Sequence, residues 1–177
     1  MQLEEYILYV ARVESGTLIL NKEKFNVNEM IIEILRYFQQ NLKLFYEYYN
    51  KEEITIYADR SRFYQIICNL LNNAIKFTDE GSITVIVERK DNSNNDEIVV
   101  SIKDTGRGID SEILPKLFTK FATKSTTEGG TWLGLFISKS IIERHGGRIW
   151  AINNAAINGD GKGQLLHSFC LLISNAY

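Results

Sequence analysis

Only two cysteines, Cys68 and Cys170, occur in 177 residues, each inside an apolar run without CxxC or Cys/His spacing around it. That gives no sign of a disulfide framework or a thiolate metal site, and both thiols read as small core residues of a protein kept in a reducing compartment. Positive charge is not in excess either. The 20 Lys and Arg against 22 Asp and Glu leave a net charge of −2 and a pI near 5.8, spread along the chain. General affinity for nucleic acid or an anionic membrane is therefore not expected, and any phosphate binding has to be local. No apolar run approaches the roughly 20 residues of a membrane-spanning helix, and no basic-then-apolar leader opens the sequence, so the chain reads as soluble. Internal repeats are absent, as is the GxxxxGK[ST] run of a P-loop. What remains is long enough for one well-filled core with a short appendage.

The apolar residues Leu3, Tyr6, Ile7, Val10 and Val13 recur at helical spacing, and Ser15-Gly16 supplies a stop. So short a helix needs a partner. A strand is expected from Thr17 to Val27, then a helix with Asn28 as N-cap through Met30, Ile31, Ile34, Leu35 and Phe38. LKLFYEY and ITIYA, separated by the polar run Asn50 to Glu53, read as a hairpin. Asp59 opens a helix to about Phe77. Strands at Ile83 to Glu88 and Ile98 to Lys103 flank a loop at Asp91 to Asp96. A short helix near Asp110 to Phe118 precedes a polar segment, and a further helix runs from Leu133 to His145 with Gly146-Gly147 as its C-cap. Strands GRIWAIN and QLLHSFCLLI close the chain, with Gly159 to Gly163 as their connection. The order predicts an α+β fold, a two-layer sandwich with about three helices on one face of a mixed, mainly antiparallel sheet.

On the helix from Asp59 to Phe77, the residues Phe63, Ile66, Ile67, Leu70, Leu71 and Ala74 form a core-facing stripe. At about 100° per residue, Arg62, Gln65, Asn69, Asn73 and Lys76 share a second sector. Asparagine is a poor helix former, so Asn69, Asn72 and Asn73 within two turns point either to a drifted solvent face or to a site. An amide oxygen suits a hard cation, and Lys76 can neutralise phosphate beside it. A second cluster follows the strand IVVSIK. There Asp104 stands at a strand end before Gly106, Gly108 and Ile109, which is either a plain turn or a close backbone approach to a ligand. A carboxylate there accepts from the adenine amine and repels guanine. Finally Gly129, Gly130 and Gly134 bracket a helix start, where free N–H groups bind anions.

Taken in order, NLLNNAIKFT, DTGRGI, FTKF and GGTWLGLFISKSIIERHGG resemble the asparagine, first glycine, phenylalanine and second glycine boxes of sensor histidine kinases. The likeness covers nearly the whole chain. ARVESGTLILNKEKFNVNEMI is similar to the family's passage from its last dimerisation helix, making residues 1–16 a remnant of that helix and 17–177 the ATP-binding domain. The resemblance implies the Bergerat ATPase fold, ATP and Mg²⁺ as cofactors, and protein histidine kinase activity. By position it implies that Asn73 coordinates Mg²⁺, Asn69 supports metal and phosphates, Lys76 contacts phosphate and Phe77 flanks the nucleotide. Asp104 would take the adenine amine beside Gly106, Gly108 and Ile109. Residues 119–131 would form a lid anchored by Phe118 and Phe121. Lys120, Thr131, Trp132, Leu133, Gly130 and Gly134 would complete the nucleotide site. Gyrase-type and chaperone-type relatives carry a water-activating glutamate where this chain has Asn69, so the resemblance favours a kinase over a hydrolase.

Two features depart from the family pattern. The acceptor histidine lies in an upstream SHELRTP-like helix that does not occur here, and His145 and His167 both read as structural. The implied partners are thus a histidine-bearing dimerisation domain and, through the full-length kinase, a response regulator receiver domain. The isolated chain is expected to be a cytoplasmic monomer, with a parent either soluble or membrane-anchored. Second, Trp132 stands where the second glycine box has glycine, so reduced ATP affinity or a non-catalytic nucleotide-binding module is the alternative.

Overall fold

The structure, a computed structural model, describes residues 10–12, 15–38, 43–48, 53–92, 95–120, 132–157 and 163–174. Its elements are β1 (Glu23–Asn26), α1 (Val27–Phe38), β2 (Lys43–Tyr48), β3 (Thr55–Ala58), α2 (Arg60–Phe77), β4 (Ser82–Asn92), β5 (Asn95–Asp104), a 3-10 turn at Leu114–Lys116, α3 (Trp132–Arg144), β6 (Arg148–Ile157) and β7 (Gly163–Ser174). The main sheet has the order β2-β4-β5-β7-β6, and β1 with β3 forms a separate two-stranded ribbon. Only the β2–β4 pairing is parallel within the described ladders.

Alternation along the strands decides which sheet face meets the helices. Ile83, Val85 and Val87 on β4 and Ile98, Val100 and Ile102 on β5 are buried in one core with Met30, Ile31 and Ile34 of α1, Phe63, Ile66, Ile67, Leu70 and Leu71 of α2, and Ile137, Ile141 and Ile142 of α3. Each such side chain contributes about 1.5–3 kcal/mol by leaving water. The predicted two-layer α+β sandwich is what forms.

Several local expectations change. The N-cap of α1 is Asn26, not Asn28: Asn26 Oδ1 accepts from the N–H groups of Asn28 and Glu29 at 2.9 and 3.2 Å. Asn26 can do this because it still has strand geometry in β1, as a capping residue must. Since the helix begins at Val27, the strand expected over Thr17 to Val27 shortens to β1.

The hairpin expected between LKLFYEY and ITIYA does not exist. β2 runs parallel to β4, and β3 pairs antiparallel with β1. A parallel pair needs a long crossover, and the segment carrying β3 and α2 supplies it. Burying Ile54, Ile56 and Ala58 against the core holds β3 in that crossover.

Most of the polar run Asp91 to Asp96 joins the β4–β5 ladder, because backbone pairing at Asp91↔Asp96 and Asn92↔Asn95 is indifferent to side-chain polarity. The helix expected near Asp110 to Phe118 contracts to one 3-10 turn at Pro115, which has no N–H to continue a helix. Residues 1–9, the stretch 121–131 and the β6–β7 connection lie outside the described residues. Cys68 is half-buried against the core, and burial pushes its thiol up to about 11.

α2 and α3 pack against each other with opposite polarity. At one end Asp59 caps α2: its Oδ1 accepts from Arg62 N–H and the Ser61 hydroxyl at 3.0 and 2.8 Å, and its Oδ2 from Asn21 N–H at 2.9 Å. Burial raises its pKa, but these bonds outweigh burial and hold the carboxyl below its usual range. The Asp59 N–H donates to His145 Nε2 at 3.0 Å, and His145 Nδ1 lies 2.8 Å from the Ile141 carbonyl. Because Nε2 must accept, the proton sits on Nδ1, which donates to Ile141. The buried imidazole is therefore structural, as expected, and it ties the end of α3 to the start of α2. Gly146, at φ +77°, turns the chain out of α3, with Gly147 N–H bonding back to Ile142 O at 3.0 Å.

Burial holds the His145 pKa below its ordinary 6.5, against the opposing pull of its bond to Ile141. Below that pH the unfolded chain takes up a proton that the folded chain refuses. The stability contribution of neutral His145 is thus full above pH 6.5 and is lost as pH falls toward the depressed folded value. Urea denaturation of wild type from about pH 7.5 down to about pH 5 should show this loss, and His145→Ala, though less stable at pH 7.5, should be flatter across that window. Parallel slopes for the two proteins would remove His145 as the cause.

Candidate functional site

Along the polar stripe of α2, Asn69 bonds across to α3 and Asn73 is buried, whereas Lys76 is exposed. Asn73 is 2% exposed, and its Oδ1 is buried with no hydrogen-bond partner among the described residues. A buried acceptor left in that state costs about 1–3 kcal/mol unless something supplies a donor or positive charge. Asn69, half-buried one turn earlier, donates from Nδ2 to Gly134 O and Ser138 Oγ, both at 3.4 Å. Arg62 donates to Gln65 Oε1 at 3.0 Å. Asn72 is exposed, so of the three asparagines Asn73 is buried and Asn69 half-buried.

Antiparallel packing sets the start of α3 beside the second half of α2. A β-carbon built on Gly134 would lie 3.4–3.5 Å from the Asn69 amide, ordinary contact distance. Leu133 is half-buried and packs against the core. The free N–H groups and positive dipole end of α3 thus lie next to Asn69. Trp132 is the first residue of α3. Its side chain, together with Thr131, Gly129, Gly130 and Phe121, lies outside the described residues. Phe118 packs partly on the core, and Lys120 is exposed.

The end of α2 meets the loop after β5. Asp104, 3% exposed, ends β5, and its Oδ1 accepts from Gly106 N–H at 3.0 Å and from the Thr78 hydroxyl at 3.4 Å. Arg107 N–H donates to Phe77 O at 3.1 Å. The guanidinium of Arg107 and the ammonium of Lys76 both lie over the Phe77 ring, at 4.9 and 5.4 Å. A β-carbon on Gly106 would fall 2.2 Å from Phe77 O, so only glycine fits, and Gly108 has φ +97°.

The loop is also held by three residues that sequence reasoning missed. Thr105 Oγ1 accepts from Ser82 N–H at 2.9 Å, and Asn153 on β6 bonds Ile109 through both its N–H and its C=O. Thr78, Thr105 and Asn153 carry no local signal beyond being polar, since their partners are remote in sequence.

The structure therefore brings Asn69 to Gly134 at the α2–α3 seam, with Asn73 one turn further along α2 and Leu133 one residue earlier on α3, and joins Lys76, Phe77, Asp104 and Gly106 where α2 ends. Asn69 thus lies beside a helix N-terminus, a buried neutral oxygen follows one turn on, and Lys76 and the carboxylate-bearing glycine loop stand at the helix end. Among the described residues no three His, Cys, Asp or Glu side chains gather as a metal cluster. One amide oxygen suits an ion such as Mg²⁺, which takes few protein ligands when phosphates complete its shell.

Residues 58–171 match the family described as histidine kinase-, DNA gyrase B- and HSP90-like ATPase. This chain belongs to that family. Within it the resemblance runs to sensor kinases. The chain is 34% identical over 165 residues to the sensor protein KdpD of Clostridium acetobutylicum, covering 88% of this chain and 18% of that protein. It is similar to the catalytic domain of histidine kinase ThkA, at 31% identity and a TM-score of 0.72, covering 88% of this chain and 96% of that one. A structure of ThkA in complex with the response regulator protein TrrA is similar at 28% identity, with a TM-score of 0.68, over 98% of this chain and 48% of that one. The chain thus spans about a fifth of the length of the curated relative named. As a histidine kinase-type ATPase domain it carries an ATP site, and no helix among its described residues is long and apolar enough to cross a membrane.

The glycines of this domain separate by experiment. Gly106→Ala should cost about 1–3 kcal/mol of stability, because the methyl meets a backbone oxygen that cannot swing away. Gly134→Ala should fold at least as well as wild type, alanine being the better helix former by about 1 kcal/mol. Equal losses on chemical denaturation would contradict the placement of Gly106.

Proposed function

We propose that this domain is the ATP-Mg²⁺-binding catalytic module of a sensor histidine kinase, transferring the γ-phosphoryl group of ATP to a histidine on a separate dimerisation domain in two-component signalling. The observation that carries this reading is the buried Oδ1 of Asn73, without a partner among the described residues, one turn after the Asn69 that meets the start of α3. Mg²⁺ bound there would neutralise phosphate charge. Asn73 would hold it. Asn69, oriented by Gly134 O and Ser138 Oγ, would support metal and phosphates. Lys76 and Lys120 would contact phosphate, and Thr131, Trp132, Leu133 and Gly134 would offer the helix start. Asp104 would accept from the adenine amine, Phe77 would flank the nucleotide, and Gly106, Gly108 and Ile109 would form the wall beside the base.

In the transfer step an imidazole nitrogen of the acceptor attacks the γ-phosphorus in line as the bond to the ADP oxygen breaks, leaving phosphohistidine and ADP. The domain contributes position and charge rather than a base. Asn69 fits this division, since an amide already donating to α3 cannot take a proton from water. Residues 1–16 would continue into the last dimerisation helix, and residues 17–177 would form the catalytic domain. A response regulator receiver domain would then take the phosphoryl group, and the isolated domain would be a cytoplasmic monomer.

Incubation with labelled ATP and an acceptor domain in trans should label the acceptor's histidine, while the domain alone stays unlabelled. Asn73→Ala should reduce the transfer rate by at least about a hundredfold. Phosphohistidine on the isolated chain, or steady phosphate release without any acceptor, would refute this assignment. Trp132→Gly should tighten ATP several-fold by calorimetry, because glycine admits the phosphates more closely. Equal affinities would show the tryptophan to be harmless.

A further inference from the structure

Ile109 lies beyond the end of β5 at Asp104 and hence outside the ladders that pair β5 with β4 and β7. Its backbone groups are met instead by one side chain. Asn153 Nδ2 donates to Ile109 O at 2.6 Å, and Asn153 Oδ1 accepts from Ile109 N–H at 3.2 Å. A primary amide that both donates to and accepts from one residue copies the pairing a neighbouring strand would provide. Among standard side chains only Asn and Gln carry an amide N–H and a C=O on one planar unit, the pair that a backbone presents, and Gln is longer by a methylene.

The place of Asn153 in the sheet gives this bond its meaning. Asp104 pairs with His167 on β7, and His167 pairs with Asn153 on β6. Asp104 and Asn153 therefore sit two strands apart on one rung, about 10 Å from each other. The loop leaves the sheet at the first of these residues and is caught at Ile109 by the second. Between them stand Gly106 and Gly108, which would leave so short a segment loose if it were held at one end only.

We propose that Asn153 is the positioning residue of the base-recognition loop, fixing Ile109 so that the wall from Gly106 to Ile109 stands at a set distance from Asp104. This rests on the reading of that loop as the adenine wall. Holding the loop before the base arrives removes the cost of ordering it on binding. The clasp acts on the base side of the site, so its loss weakens ATP and ADP alike.

The test compares wild type, Asn153→Ala and Asn153→Asp. Calorimetry with ATP and with ADP is combined with hydrogen exchange at the Ile109 amide in the nucleotide-free protein and with thermal unfolding. In Asn153→Ala the Ile109 amide should exchange at least tenfold faster, and both nucleotides should weaken by the same factor of about ten. Asn153→Asp keeps the acceptor for Ile109 N–H and loses the donor, so it should protect the amide and weaken both nucleotides by a smaller factor. An Asn153→Ala protein that binds both nucleotides as wild type does, or that loses ATP but not ADP, overturns the proposal, as does unchanged exchange at Ile109. If Asn153→Ala does not fold, Asn153→Asp decides alone, wild-type affinity for both nucleotides being the refuting result. Wild type that binds neither nucleotide refutes the adenine reading and the positioning role with it, while the Ile109 exchange rate still reports separately whether the clasp forms.

Discussion

The antiparallel packing of α2 against α3 is the constraint on which the site depends. Two hydrogen-bonded contacts set its register. At one end the imidazole of His145 accepts the Asp59 N–H and donates to Ile141. Further along, Asn69 reaches Gly134 and Ser138. Between them Phe63, Ile66, Ile67 and Leu70 of α2 share a dry core with Ile137, Ile141 and Ile142 of α3. With that register, the positive start of α3 lies beside the half of α2 that carries Asn69 and Asn73. A shift of one helical turn, about 5.4 Å, would separate them.

The same packing explains how a polar stripe survives on a core helix. Asn73 is buried on α2, and its Oδ1 has no donor among the described residues. Natural cores satisfy most such groups, so the orphaned oxygen of Asn73, one turn from the residue that meets the start of α3, is the place where a ligand would supply what is missing. The neighbouring glycine loop is instead held by several hydrogen bonds. Asp104 binds Gly106 and Thr78, Phe77 O binds Arg107, and Ile109 is clasped from β6. One half of the site is hydrogen-bonded in place, and the other keeps an oxygen unsatisfied among the described residues. That division suits a pocket that recognises a base by shape and phosphates by charge.

Legibility followed the range of the forces involved. The α2 boundaries, its Asp59 cap and its apolar stripe were readable because periodicity and capping act within a few residues. The two closing strands and the Gly146 turn were readable for the same reason, whereas their antiparallel pairing came from the structure. The Asn26 cap was misplaced by two residues, since Asn26 and Asn28 offer the same amide and only the end of β1 selects between them. The hairpin at 43–58 was misread because strand propensity does not name a partner. Of the candidate site, Asn69, Asn73, Lys76 and Asp104 stand out by residue type and spacing, whereas Asn153 does not.

By itself the sequence determined the fold class, the helix that presents the amides, and the order of its polar boxes, because each is written in neighbours along the chain. The tertiary structure decided which of those groups meet. Asn69 finds Gly134 across 65 residues, His145 finds Asp59 across 86, and Asn153 finds Ile109 across 44. Bonds of that span carry no local signature. They form only once burial of the shared apolar face has fixed how the helices and strands lie against one another.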